Sequence, residues 1–404
     1  MERPVSSEPI QKLIERSLAR GSNQSGMRAH NEKLVLSLVR QGGAMSKAEI
    51  ARLTGLSAQT VSVIMRQLEA DGLLKKDDRV RGKIGQPSVP MSLNASGAFF
   101  LGLKIGRRSV ELVLIDFAGQ VVGRQRKTYA HPTPDLVLSF TRNALPKVLG
   151  ALSGAERDRL GGLGVALPFR MWEWDVATGE GLEGWRDYDI AQALRAENDM
   201  PVYLCNDASA ACGAELVFGD QDRPADFLYF YIGYFAGGGL VLDSKLYTGK
   251  SGNAGAVGSM PLIAASGPPL QLVQVASLAT LEDMLKSAEF QRQDSWSEPG
   301  AWNFPQEIRD SWIDGAAEGL AQSILSAACL IDFESAFIDG TLPDDVRAEL
   351  VRRTRHILAA RPLAGINSPD VREGTVGRDA RSLGAASLPL SDRFLVDRNA
   401  FLKG

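Results

Sequence analysis

The chain is poor in the residues that build disulfides and metal sites. Among 404 residues there are three cysteines, Cys205, Cys212 and Cys329, and three histidines. So few cysteines exclude a disulfide framework and point to a reducing compartment. Cys205 and Cys212 read as small buried residues. Long hydrophobic runs are missing too. No stretch approaches eighteen apolar residues, so no membrane span is expected. The opening MERPVSSEPIQKLIERSLAR lacks the apolar core of a secretion signal, which makes the expected location cytoplasmic. What is present is ordinary globular material. Hydrophobic residues make up 44% and charged residues 23%, over a length sufficient for two or three domains.

A net charge of −3 conceals an asymmetry. Residues 1–95 carry 15 basic against 9 acidic side chains, whereas the remainder carries 30 against 39. A basic first quarter on an acidic body is the balance expected of a nucleic-acid-binding module joined to a soluble effector domain.

After a polar tail with a short helical stretch near Ile10–Leu18, the pattern becomes regular. In MRAHNEKLVLSLVRQGG, Leu34, Val35, Leu38 and Val39 recur at helical spacing until Gly42-Gly43. Ser46 with Glu49 three residues on is a capping box for a second helix, which Gly55 ends. Ser57 caps a third, AQTVSVIMRQLEADG, with Val61, Ile64 and Leu68 inward. Two short helices around a Gly-containing turn fit a helix-turn-helix. The third helix then offers Ser57, Gln59, Thr60, Ser62 and Arg66 to duplex DNA, glutamine being suited to an adenine edge and arginine to the backbone. LLKKDDRVRGKIGQPSVPMSLN reads as two strands around a basic wing, with Lys75, Lys76, Arg79, Arg81 and Lys83 placed for phosphates or a minor groove. A winged helix used for protein contact is the alternative, and it would not need a basic wing.

From Phe99 strands dominate: FFLGLKIG, SVELVLID and VVGRQRKTYA, then a helix over 134–149 and the strand GLGVALP. A Trp-rich loop, a helix in DIAQALRAEND and the strand PVYLC lead to a helix from Ala208. DFLYFYIG and GGLVLDS flank Gly237-Gly238-Gly239. Helices are expected at about 270–288, 304–330, 343–360 and 378–387, with the strand SAFIDG among them. Strands alternating with helices predict an α/β architecture.

This order resembles the actin-like sugar kinases. Over about residues 27–390 the chain is similar to the ROK family (repressors, open reading frames and kinases). The likeness rests on Arg28 and Asn31, SKAEIARLTGLSAQTVSVIMRQLEADGLL, the wing Gly85-Gln86-Pro87, GWRDYDI, PVYLCNDASAACGAE and GKSGNAGAVGSMPL. It implies an α/β fold with an N-terminal winged helix-turn-helix followed by a two-lobed actin-like domain. The implied domains are a mobile tail at 1–26, the winged helix at 27–93, and an effector-binding and oligomerisation domain at 97–404. Within the last, the small lobe spans about 97–206 plus the C-terminal helix and the large lobe about 207–380.

Against ROK kinases the chain departs at the phosphate loops. An Asp-Gly-Gly-Thr type loop is here Lys104-Ile105-Gly106-Arg107-Arg108-Ser109. A Gly-Thr-Gly-Ile-Gly-Gly-Gly hairpin is here Gly233–Gly239 with Tyr234 and Phe235 inside it, and a late Gly-Gly is Asp339-Gly340. Phosphoryl transfer depends on such loops and on a bound metal, so no catalysis and no cofactor are expected. Asp207 is the remnant of the kinase base. The sugar-binding Glu and the metal-and-sugar His of Ala-Gly-Glu-Ile-Gly-His are lost from Ala254–Ser259. The zinc-loop stretch at 262–284 has neither Cys nor His, so no metal is expected. Asn206, Asp207 and Asn253 remain as candidate ligand residues. Arg170, Trp172 and Trp185 join them, with Trp174 nearby; packing of the lobes by the tryptophans and a surface place for Arg170 are the competing readings. Gln86 stands where the family commonly has arginine, which weakens the expectation of wing contact with the minor groove.

The expected function is therefore a DNA-binding regulator of carbohydrate uptake or catabolism genes. It would be a homodimer or homotetramer, controlled by a sugar-like effector in a degenerate kinase cleft. A sugar kinase that also binds DNA, and a DNA-binding scaffold without effector, are the alternatives.

Overall fold

A computed structural model describes residues 24–78, 89–174, 182–220, 222–263, 269–290, 302 and 304–396. The described residues fall into two compact units. One holds the residues up to Leu93 together with those from Phe394 on; the other is Asn94–Arg393.

In the first unit, α1 (Gln24–Gly42), α2 (Lys47–Thr54) and α3 (Ala58–Ala70) are followed by β1 (Leu74–Lys76) and β2 (Met91–Leu93), an antiparallel pair. Met45 adds a bridge to Met91, so the wing rests on the loop before α2. Local chemistry sets the helix limits. Ser46 and Glu49 form the capping box, Gly55 closes α2 in the left-handed region at φ +70°, and the Ser57 hydroxyl accepts from the Thr60 N–H. The core is Val35, Leu36 and Val39 of α1 with Ile50, Val61, Ile64, Met65 and Leu68. The buried stripe of α1 thus includes Leu36, whereas Leu34 and Leu38 are half-buried. Arg79, Arg81, Lys83 and Gln86 lie outside the described residues, as does the tail up to residue 23. Beyond Phe394, the Val396 N–H donates to Ser37 Oγ of α1 at 3.2 Å.

The second unit contains two five-stranded sheets built on one plan. The first comprises β3 (Phe99–Ile105), β4 (Ser109–Asp116), β5 (Val121–Thr128), β6 (Leu160–Leu167) and β7 (Val202–Asn206), in the order β5-β4-β3-β6-β7. α4 (Pro134–Leu149) and α5 (Ile190–Glu197) are its crossovers. The helix α6 (Asp207–Phe218) then leads to β8 (Phe227–Ile232), β9 (Gly237–Leu242) and β10 (Lys245–Tyr247). A two-stranded ribbon, β11 (Pro261–Leu262) with β12 (Leu270–Gln271), precedes α7 (Leu278–Ser287) and α8 (Gln306–Ala328). The second sheet is completed by β13 (Ser335–Gly340), α9 (Asp344–Ala359) and β14 (Asp370–Glu373), in the order β10-β9-β8-β13-β14. Each sheet is an antiparallel meander continued by two parallel strands. The short β10 and β14 were not anticipated from the sequence, and the polar DVRE of β14 carries no apolar alternation.

The last helix, α10 (Ala380–Phe394), outruns its expected end at 387 despite Pro389. Its small residues explain the fit. The Ala385 carbonyl, which Pro389 has no N–H to bond, lies over Gly164 of β6, where a Cβ would come within 1.7 Å of it. A Cβ on Gly384 would likewise come within 1.9 Å of the Ala210 carbonyl of α6. Two helices of Ala, Gly and Ser thereby pack at backbone distance, with Asp207 and Arg381 near their starts. No described helix is long and apolar enough to cross a membrane.

Candidate functional site

A cleft of about 900 Å³ opens in the second unit between residues of both sheets. Asn206, Asp207, Arg170 and Asn253 line it. Trp172 and Trp185 do not, which corrects the expectation from sequence. Trp185 is buried in the first lobe, its indole N–H donating to the Pro132 carbonyl at 3.0 Å and its ring meeting Tyr188 edge-on. Both its apolar body and its polar tip are satisfied there. Trp172 packs against the same core and lies under the Arg186 guanidinium. Arg170, at φ +55°, is exposed and pairs with Glu173 at 3.2 Å.

Asp207 is buried and engaged. Its Oδ2 accepts from an Arg381 guanidinium nitrogen at 3.2 Å, and that guanidinium lies 4.8 Å from the Tyr231 ring centre. Burial pulls the Arg381 pKa down, but Tyr231 and Asp207 outweigh it and hold the charge firmly. Asn206 caps α6, its side-chain oxygen accepting from the Ala208 and Ser209 N–H groups. Only its amide NH2 is left for a ligand. Sequence reasoning missed Arg381, which lies 174 residues from its carboxylate partner in the chain.

The two hairpin turns that the resemblance to ROK kinases would place at phosphates are occupied by side chains. The Arg107 guanidinium sits 4.3 Å from the Phe235 ring centre and that of Arg108 5.0 Å from Tyr234. Arg108 also donates to the Tyr234 hydroxyl at 3.1 Å. These stacks link the turns of the two sheets face to guanidinium. The backbone of the second turn is engaged as well. The Ala236 N–H donates to Ser277 Oγ, and the Gly233 and Tyr234 carbonyls accept from Leu278 and Ala279 at the start of α7. Asp339 is wholly buried, and its Oδ2 accepts from Tyr229 Oη at 2.8 Å and from the Gly377 N–H at 3.0 Å. It locks β13 to the loop before α10.

Lys104 lies in the floor of the cleft. Its Nζ donates to Ser109 Oγ at 2.8 Å. Burial, reinforced by Arg381, lowers its pKa to about 7, with Glu111, Arg126 and Asp207 as the other charges it feels. Lys104, Glu111 and Arg126 stand directly opposite one another across β3, β4 and β5, so they share one face of the sheet. Among the described residues no group of three or more His, Cys, Asp or Glu side chains is placed to hold a metal ion. Burial raises the Cys205 thiol to about 12 and pushes that of Cys212 well up too. Both are inert small core residues.

On the first unit, α3 presents Gln59 and Arg66 outward. Ser57 and Thr60 are tied to each other at the cap, their hydroxyl oxygens 2.8 Å apart. Ser62 accepts from Lys47 Nζ of α2 at 3.3 Å. Val63 was not singled out from sequence, yet it is 53% exposed on the same face as Gln59 and Arg66. An apolar residue left exposed on a polar helix face was the available signal, since a methyl-bearing side chain suits a thymine methyl.

Comparison with known proteins agrees with both parts. Residues 28–75 match the winged helix-turn-helix DNA-binding family, and residues 100–273 match the ROK family. An uncharacterized protein of Sinorhizobium fredii is 28% identical over 91% of this chain and 92% of its own length. The xylose repressor of Bacillus subtilis is 22% identical over 60% of this chain. That match spans only 62% of the repressor's length. Among solved structures, a ROK family transcriptional regulator described as a homolog of the E. coli MLC protein superposes with a TM-score of 0.66 at 19% identity. It covers 90% of this chain and 96% of its own. The chain thus carries a ROK family domain, matched over residues 100–273, behind a winged helix-turn-helix matched over residues 28–75.

Proposed function

We propose that this protein is a sequence-specific DNA-binding transcriptional repressor whose occupancy of DNA is set by a sugar-like molecule in the cleft of the ROK domain. The carrying observation is the pairing of an outward Gln59–Val63–Arg66 face on α3 with a cleft whose kinase carboxylate, Asp207, is held by Arg381. Base-edge contacts by Gln59 and Val63 would give site preference, and Arg66 with the basic wing would supply phosphate contacts. The relatives named xylose repressors support this reading. The protein works as a homodimer or homotetramer in the cytoplasm, with half-sites about one helical turn or a multiple apart.

The ROK domain acts as a sensor, not as a kinase. Aromatic–arginine stacks fill both phosphate turns, and the second turn's backbone groups are already bonded. Charge stabilisation of a transferring phosphoryl group needs those positions open.

The test is footprinting of the full chain on DNA flanking its own gene at physiological salt, with and without a panel of sugars. A protected site that resists competitor DNA and is lost with one sugar is expected. Binding that competitor DNA abolishes equally would overturn the reading. Gln59→Ala should weaken discrimination at one base pair by about 1–3 kcal/mol. ADP release above background with any sugar would overturn the sensor assignment.

A further inference from the structure

We infer that the cleft is built for an anionic polyol, a sugar bearing a carboxylate or a phosphate group, and not for a neutral sugar. This rests on the proposed sensor reading and names the class of its ligand. Eight basic side chains line the cleft against four carboxylates, in a domain that is otherwise acidic. A surplus of positive charge gathered into a concave site on a negative body is an anion trap.

The surplus is concentrated at one end. Lys104 and Arg126 flank Glu111 on a single face of the first sheet, and Arg381 reaches the same corner from α10. Arg378 lines the cleft from the turn just before α10. Arg381 and Arg126 both act on Lys104 as like charges, which is unfavourable until an anion sits among them. Arg381 is also incompletely satisfied, since its Nε is buried with no hydrogen-bond partner. A carboxylate or phosphate oxygen is the acceptor such a guanidinium fits best. Hydroxyl groups of the same ligand would reach Asp207, which adjoins the cationic corner through Arg381, and the amides of Asn206 and Asn253 that line the cleft.

The inference is tested on the full chain by calorimetry and thermal melting. The probes are glucose, galactose and mannose, each with its uronate and its 6-phosphate, together with inorganic phosphate alone. At least one sugar anion should bind tenfold or more tightly than its neutral parent, and the uronate and phosphate arms identify which group is read. Arg126→Gln and Arg378→Gln replace exposed side chains and should keep the fold. Each should weaken the anion several-fold while leaving the neutral parent unchanged. The inference falls if the neutral parent binds as well, if no sugar anion in the set binds, if inorganic phosphate binds as tightly as the sugar anions, or if both variants leave anion affinity unaltered. The sensor reading survives the first of these outcomes when the neutral sugar still releases DNA. It falls separately if the chain shows no specific site on DNA, whatever binds the cleft.

Discussion

The two sheets of the ROK domain share one strand order and differ in what they place at the first hairpin turn. In the first sheet the β3–β4 turn carries Arg107 and Arg108; in the second the β8–β9 turn carries Tyr234 and Phe235. One is cationic and the other aromatic, and each closes on the other. The helix packing also differs. α10 reaches the first sheet at backbone distance through Gly102 and Gly164, whereas the second core is filled by large side chains such as Trp312, Phe230 and Leu320. Repeating a topology therefore does not repeat a function. Strand order fixes where turns fall, and the residues in those turns decide what can bind.

The largest effect should come from breaking the close approach in the first lobe. Gly164→Val drives a side chain into the Ala385 carbonyl and should destabilise by about 3 kcal/mol or more, measured by urea unfolding. At exposed Gly315 on α8 of the second lobe a Cβ meets nothing within 4 Å. Gly315→Ala should instead stabilise by about 0.5–1 kcal/mol. Equal losses at the two sites would erase the contrast in packing.

Asp207→Asn leaves the Arg381 guanidinium without its carboxylate. A loss of about 2 kcal/mol is expected, below the full buried-pair penalty because the pair borders the open cleft. An unchanged melt would mean that Arg381 is held by Tyr231 alone. The stack between the turns should show as a coupling energy of about 1 kcal/mol in a double-mutant cycle of Arg107→Ala and Phe235→Ala. Additive losses would separate the two turns.

A pH profile reads the same cleft. Lys104 has a folded pKa near 7, below its unfolded value near 10.5, so above pH 7 the unfolded chain binds the extra proton. Stability should then rise from pH 7 toward 10, the penalty being fully present below pH 7. Lys104→Met should flatten this part of the profile. The charges that face Lys104 are those of Arg381, Glu111, Arg126 and Asp207. A profile unchanged by the substitution would assign the slope elsewhere.

Local chemistry was legible in advance. The Ser46–Glu49 box, the Ser57 cap, the Gly55 stop and the apolar runs of β3, β4 and β8 act within a few residues of chain, and each appears where the pattern places it. What depends on distant partners was not. β14 is a strand because β13 lies beside it, not because DVRE favours one. Trp185 was expected at a ligand and is core instead, since an indole in a loop carries no mark of which side it faces. Arg381 emerges only when α10 folds back to the start of α6. The charged corner of the cleft is likewise a product of register, with Lys104, Glu111 and Arg126 aligned by three strands.

The helix α10 has a mechanical consequence. Its second residue, Arg381, holds Asp207 in the cleft, and its last, Phe394, already belongs to the DNA-binding unit. Fifteen residues of helix span about 22 Å. Within its own unit the rod is thus anchored near its start by the Arg381–Asp207 pair at the cleft and near its end by Arg393, whose guanidinium donates to the Gly161 carbonyl of β6. Pro389 interrupts its hydrogen-bond ladder between the two anchors. A shift of the guanidinium would therefore load the helix against the first sheet, with the proline as the weakest point of its ladder.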